Sequence, residues 1–499
     1  NLRVGNKGLA WCAFTCTTRF VGHTSACHSS CRSRFIEICP TSVQRVFNCS
    51  GHVRQVRTIL RRTEPGTSTM APAQEPWRCH NFSAGPATIP SEVLAKIVGE
   101  LSDYEGLGMS ILEMGHRDEG GPVQQVLQEA TDCVRQLLRV PASYAVIWQQ
   151  GGAHGQFAAV PLNLLGHKTQ ADYVDTGVWS RKAMSEAKKF CKVRVAAEIS
   201  EVDGQLTIPP ASEWQLSDDS AYVHICANDT INGAEFLEDP DVGDKLLVGD
   251  FTSTLLSRSI NVSRYAAIYC SSGKNLGPAG VCLVIVRRDL LDFAQPSTPV
   301  VLTWKASAQT TPISSLVNTP PVFSIYAVGH ILKGLRRSFG ESGTLDNVNQ
   351  RVRSRAQRVY RVLDESDGFY INKVSDICRS QTTICFTFGE DADLQREWNG
   401  SITAKVQLTK LEQAFTREAK IRGLNGLEGH PAFGGIRVCL YNGLPDEAVD
   451  EVIRLLEEFH VTHTKTQKSP LEVYQPPSEN FCGKDLPLED LCRPKMLRS

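Results

Sequence analysis

Two stretches decide the fold: Leu246-Leu-Val-Gly-Asp250 and Ala266-Ala-Ile-Tyr-Cys-Ser-Ser-Gly-Lys274. Each opens on a short apolar run without the polar alternation of a half-exposed strand, then passes through small residues to a charge. That is the pattern of a strand buried on both faces of a parallel sheet. Similar runs stand on either side, at Tyr144 to Trp148, Val193 to Ile199, Tyr222 to Cys226 and Val281 to Val286. Amphipathic stretches separate them. Val123, Val126, Leu127, Ala130, Val134, Leu137 and Leu138 recur at helical spacing after Pro122, and Ser91 can cap a helix that buries Val93, Leu94, Ile97 and Leu101. The alternation predicts an α/β chain with a large, doubly wound, mostly parallel sheet. Further on, helices at 322–338 and 345–366, a strand at Thr383 to Phe388 and a helix carrying Val449, Val452, Ile453, Leu456 and Phe459 lead into a smaller α+β domain. The expected division is an N-terminal extension over 1–78, a large domain over 79–339, a small domain over 340–463 and a tail over 464–499.

The chain has 499 residues, 41% hydrophobic and 21% charged, which excludes collagen, coiled-coil and disordered classes. Apolar runs such as Val281 to Val286 fall far short of the ~18 residues a membrane span needs. A net charge of -1 gives the whole chain no electrostatic reason to bind nucleic acid or an acidic membrane. The average hides an uneven distribution. Residues 1–69 hold ten basic residues, nine of them Arg, against Glu37 and Glu64, which leaves 43 basic and 52 acidic residues for the rest. Three readings of this segment compete: an Arg- and Ser-rich transit peptide, translated sequence ahead of a start at Met70, or a metal module on Cys12, Cys16, Cys27 and Cys31 with His23 and His28. Loose ligand spacing counts against the third, so no metal is expected. The first places the protein in a plastid or mitochondrion, the second in the cytoplasm. The eleven cysteines from Cys79 to Cys492 lack paired spacing and read as thiols of a reducing compartment. Prolines at 470, 476, 477, 487 and 494 mark the residues after His463 as a surface tail.

In open α/β sheets ligands bind beyond the carboxyl ends of the strands. After Trp148 comes Gln149-Gln-Gly-Gly-Ala-His-Gly-Gln156, whose small residues let backbone N–H groups approach a phosphate at a helix start. It is neither a Walker loop nor a dinucleotide fingerprint, and alone it reads equally well as a tight turn. Asp250 and Lys274 follow two successive strands at the same edge. Singly, such an acid is a helix cap and such a lysine an inert surface charge. Together with a phosphate cup they describe a pyridoxal phosphate site, which needs an amine for the aldehyde, a carboxylate for the ring nitrogen and a phosphate anchor.

The chain from about Cys79 to Phe459 resembles the phosphoserine aminotransferase family, class-V enzymes of the fold-type I pyridoxal phosphate transferases. Nine motifs carry the resemblance in order: Asn81-Phe-Ser-Ala-Gly-Pro-Ala, Gly115-His-Arg, Gly151-Gly-Ala-His-Gly-Gln-Phe, Asp175-Thr-Gly-Val-Trp179, Asn228-Asp-Thr-Ile-Asn-Gly, Gly249-Asp-Phe-Thr-Ser, Lys274-Asn-Leu-Gly-Pro-Ala-Gly, Asn318-Thr-Pro-Pro and Gly429-His-Pro-Ala-Phe-Gly-Gly-Ile-Arg437. The resemblance implies that Lys274 holds pyridoxal 5'-phosphate covalently and carries the proton, that Asp250 pairs with the ring nitrogen, that Trp179 stacks on the ring and that Thr230 bonds near the ring oxygen. Ala153 and His154 correspond to the phosphate cup, with Gly273 where the family usually has a further phosphate ligand, Gln. Asn318 and Thr319 correspond to groups lent by the neighbouring subunit of a homodimer. Arg437 matches the partner of the substrate α-carboxylate, where a planar guanidinium can hold both oxygens; His116, Arg117 and His430 match the groups facing the distal anion. Pro431 stands where the family usually has Arg. The implied reaction is amino transfer between L-glutamate and 3-phosphohydroxypyruvate, giving O-phospho-L-serine and 2-oxoglutarate in serine biosynthesis. The alternative is the same chemistry on another acidic oxo acid.

Overall fold

The computed structural model describes residues 78–338, 345–389, 406–431 and 433–467, together with a short antiparallel strand pair, Arg45–Val46 with Arg54–Gln55. Apart from that pair, the three readings of residues 1–69 lie outside the described residues, as does the tail beyond Gln467.

Seven strands make the main sheet: β1 (Tyr144–Gly151), β2 (Gln170–Asp175), β3 (Lys192–Glu198), β4 (Val223–Cys226), β5 (Leu247–Asp250), β6 (Tyr265–Ser271) and β7 (Gly280–Arg287). Their order is β1-β7-β6-β5-β4-β2-β3. The pairings that β7 makes with β6 and β1 are antiparallel and the others parallel. The reason is chain length: only residues 272–279 join β6 to β7, too few for a crossover helix. Alternate residues supply two apolar layers. Val146, Trp148, Ile268 and Cys270 face the layer of helices α1 (Ser91–Glu100), α2 (Pro122–Leu137) and α5 (Val322–Ser338); Ala145, Ile147, Ala267 and Tyr269 face that of α3 (Ala153–Leu164) and α4 (Val178–Ala187). The doubly wound α/β fold is borne out.

A second core forms on an antiparallel sheet of β8 (Tyr370–Ile371), β9 (Thr383–Phe388), β10 (Glu428–His430) and β11 (Gly434–Cys439), in the order β8-β9-β11-β10. Phe386 and Phe388 of β9 pack there against Phe415 of α7 (Lys410–Ile421) and Phe459 of α8 (Asp446–Gln467). Helix α6 (Leu345–Asp364) serves both cores, giving Val348 and Val352 to the first and Val359 and Leu363 to the second.

Several local expectations need correction. Strand β2 escapes the apolar reading because Asp172 interrupts it; this buried carboxylate accepts from Ser217 N at 2.7 Å and Ser220 Oγ at 2.8 Å. Strands β1 and β5 run on through Gly151 and Asp250, so the phosphate-cup turn begins at Gly152. Ser91 is the first residue of α1 rather than its cap, and its hydroxyl receives Arg78 Nη1 at 2.9 Å. Leu101, expected inside, is 43% exposed. Strand β3 is the sheet's edge, which leaves Val195 exposed. Helix α6 stops at Asp364, and α8 continues past His463 to Gln467, with Thr464 Oγ1 donating to His460 O at 2.8 Å. None of the nine described cysteines is in a disulfide. Among the described residues no helix is long and apolar enough to cross a membrane.

Candidate active site

Strands β4, β5 and β6 finish at one edge of the sheet, where a cavity of about 480 Å³ opens. Asp250, the last residue of β5, lies on its wall and is 5% exposed. Burial pushes its carboxyl pKa up; the Thr252 hydroxyl, the Thr252 backbone N–H at 2.9 Å and the charge of Lys274 act against that rise. Lys274 follows β6 by three residues and also lines the cavity. Burial holds its ammonium pKa below the ordinary lysine range, with Asp250 opposing.

Thr230 ties the wall together. Its hydroxyl oxygen accepts from Lys274 Nζ at 3.1 Å and from Trp179 Nε1 at 3.0 Å, while its carbonyl accepts from Arg437 Nη1 at 2.8 Å. Lys274 Nζ stands 5.2 Å from the centroid of the Trp179 ring. Arg437 Nε is buried without a hydrogen-bond partner, so the guanidinium is fixed at one end and unsatisfied at another. Gly152, Ala153 and His154 bring the start of α3 to the wall, and no side chain caps that helix. The Gly155 N–H already donates to Gly152 O at 3.0 Å, which leaves the N–H groups of Ala153 and His154 available to an anion. Gly273 and His430 complete the expected residues on the wall, and burial, then the charge of Arg437, lowers the His430 pKa.

The other expected residues lie apart. His116 is half-buried and Arg117 exposed in the loop before α2, and neither lines the cavity. Asn318 and Thr319 are exposed; Asn318 lines a separate groove with Val301, and the Thr319 carbonyl accepts Gln150 Nε2 at 2.5 Å. Sequence reasoning gives no role to Cys226, Thr252, Ser253 and Ser271, which are also on the wall. For Cys226 the signal is register, since it pairs directly with Asp250 across β4 and β5.

Residues 79–398 match the class-V aminotransferase family. The phosphoserine aminotransferase of Hahella chejuensis is 44% identical over 382 residues, 77% of this chain and 98% of that protein. The chain belongs to the phosphoserine aminotransferase family. Two solved members agree. The enzyme from Bacillus circulans subsp. alkalophilus superposes with a TM-score of 0.69 at 38% identity, covering 77% of this chain and 99% of that one. The pyridoxal phosphate-bound enzyme from Trichomonas vaginalis gives 0.67 at 32%, covering 76% and 100%. The chain is a pyridoxal phosphate-dependent transaminase, and the cavity suits that cofactor. A buried acid, a lysine with depressed pKa, an indole face and an uncapped helix start surround one space. They are the donor set that a cationic ring bearing an aldehyde and a phosphate requires.

Proposed function

We propose that the chain moves the amino group of L-glutamate to 3-phosphohydroxypyruvate, yielding O-phospho-L-serine and 2-oxoglutarate, and that it works as a homodimer. The observation that carries this reading is the convergence of Lys274, Asp250 and Arg437 on one cavity in a chain so similar to phosphoserine aminotransferases. When bound, pyridoxal phosphate supplies an electron sink for the charge left at substrate Cα as its proton departs. Lys274 would hold the cofactor covalently, and its amine is the base placed to take the proton from substrate Cα; its depressed pKa favours the neutral form that this work needs. Asp250 would stand against the ring nitrogen as a carboxylate. Trp179 would cover the ring, and Ala153 and His154 would offer backbone N–H groups to the phosphate, without the side-chain ligand that Gln would add at Gly273. Arg437, on the cavity wall, offers its guanidinium to the α-carboxylate.

His430 faces the distal anion from its own chain. Asn318, Thr319, His116 and Arg117, which stay out of their own cavity, are assigned to the cavity of the neighbouring subunit. Exposed Val300 and Val301 beside the Asn318 groove support a covered surface there. The experiment is an acceptor comparison with glutamate as donor. 3-Phosphohydroxypyruvate should have the highest kcat/KM; a preference for oxaloacetate or another unphosphorylated oxo acid would replace this reading with the alternative substrate.

A further inference from the structure

Tyr269 and His224 are buried beside Asp250, at 0% and 1% exposed, and neither lines the cavity. Register explains the grouping. Tyr269 pairs directly with Asp250, and His224 precedes by two residues Cys226, the partner of Asp250 on the other side. All therefore point to one face of the sheet. His224 Nε2 lies 2.9 Å from Tyr269 Oη, its ring stacks on Tyr173 with centroids 4.8 Å apart, and its Nδ1 is buried without a hydrogen-bond partner. Tyr269 stands directly across the strand pair from Asp250, and its hydroxyl is among the groups that hold the Asp250 pKa down against burial.

We infer that His224 and Tyr269 form a directed relay, His224 Nε2–H to Tyr269 Oη–H to Asp250, which keeps Asp250 ionised against the ring nitrogen of pyridoxal phosphate. The directions follow from the protons each group owns. An ionised carboxylate only accepts, so Tyr269 gives its single proton to Asp250. The same hydroxyl then accepts from His224, which makes Nε2 the protonated nitrogen and Nδ1 a bare lone pair. Nδ1 is the atom the structure leaves without a partner. Burial pushes the His224 pKa down to about 3, so the imidazole stays neutral and acts as a donor rather than a charge. The relay opposes the desolvation that draws Asp250 toward its neutral form. Lys274, His154, Cys226, Cys270 and Cys282 also interact electrostatically with Asp250, and Tyr173 faces His224. His224 and Tyr269 are thus positioning residues, and their role rests on Asp250 being the ring nitrogen's partner.

The test reads the ring nitrogen directly, by the chemical shift of 15N-labelled pyridoxal phosphate in the holoenzyme as pH is varied. In Tyr269→Phe and His224→Leu the nitrogen should lose its proton at lower pH than in wild type; the proton affinity should be at least about tenfold smaller in Tyr269→Phe, as expected for one lost hydrogen bond to a charged group, and reduced by less in His224→Leu, which loses a bond to the neutral tyrosine. The kcat should fall with little change in KM. His224→Gln, whose amide nitrogen can occupy the Nε2 position, should recover part of the wild-type titration. Should Tyr269→Phe fail to fold, the two His224 variants carry the comparison. Titrations equal to wild type in the folded variants would overturn the relay, as would a His224→Gln no better than His224→Leu. Asp250→Ala separates the two levels: if it too titrates like wild type, Asp250 is not the ring partner and the reading beneath the relay fails.

Discussion

The carboxylate of Asp229 accepts the backbone N–H of Trp179 at 2.9 Å, so a buried acid outside the cavity wall sets where the indole stands. The same carboxylate takes the N–H groups of Ile231 and Asn232 at 2.8 and 3.3 Å, linking the loop after β4 to the start of α4. Gly177 makes the approach possible. Its φ is +144°, and a Cβ there would fall 2.6 Å from Asp229 Oδ2 and 2.8 Å from Asn232 Nδ2. Gly177→Ala should cost roughly 2–4 kcal/mol through backbone strain and overpacking, and should weaken cofactor binding by displacing Trp179. Denaturant midpoints and a cofactor titration check this; wild-type values in both would show that the loop yields freely.

Lys274→Ala should remove steady-state transamination by at least about a hundredfold, the lower range for a lost proton carrier, before counting the lost covalent attachment. The fold should survive, because the hydrogen bond lost is one to the Thr230 hydroxyl, which still receives Trp179 Nε1. A variant with near-normal turnover would end the assignment. Thermal unfolding of the apoprotein provides the control.

If Arg117 serves the cavity of a neighbouring subunit, two inactive variants should complement each other. Hybrids of Lys274→Ala and Arg117→Ala chains carry both defects at one site and none at the other. Dimers formed by random exchange should regain about a quarter of wild-type activity, since half are hybrids with one intact site each. No recovery in a mixture shown to exchange subunits would place Arg117 at its own chain's site or at none.

Glu235 links the segment after β4 to the one before β9: its Oε2 accepts from Ser380 Oγ at 2.9 Å and from Gln381 N at 2.8 Å. Burial pushes its pKa up to about 6 from 4.5, the hydrogen bonds opposing. Between those values the folded chain holds a proton that the unfolded chain has released, so stability falls as pH rises. The contribution is fully present below pH 4.5 and gone above about 6, and amounts to about 2 kcal/mol. Glu235→Gln should be flatter over this window. Chemical unfolding at several pH values decides it, and parallel curves for both proteins would count against a proton on Glu235.

Asp250 and Lys274 are legible because the first ends and the second follows an apolar run, where local pattern and burial agree. Strand β2 is not, since Asp172 is tolerated only through partners on the segment around Ser217 and Ser220, distant in sequence and close in space. The same limit applies to Thr230. Its type and position are visible in the motif, but its shared bonds to Lys274, Trp179 and Arg437 join chain segments that the fold alone brings together. Family resemblance names a position's role; it does not reveal the backing of Asp250 by Tyr269 and His224, which depends on register across three adjacent strands.

Pro431 offers the sharpest test of substrate preference. It is exposed, in the turn between β10 and β11 next to His430, and its carbonyl accepts from Val406 N at 2.7 Å. That bond uses the carbonyl, which arginine also has, so Pro431→Arg can restore the family's cation without removing it. A charge-assisted hydrogen bond contributes roughly 1.5–3 kcal/mol, equivalent to about ten- to a hundredfold in affinity. A phosphate dianion should gain more than a carboxylate from the added charge. The KM for 3-phosphohydroxypyruvate should therefore fall further than that for 2-oxoglutarate, measured at one salt concentration because such contacts are screened. Equal changes in the two values would mean that residue 431 does not face the distal anion.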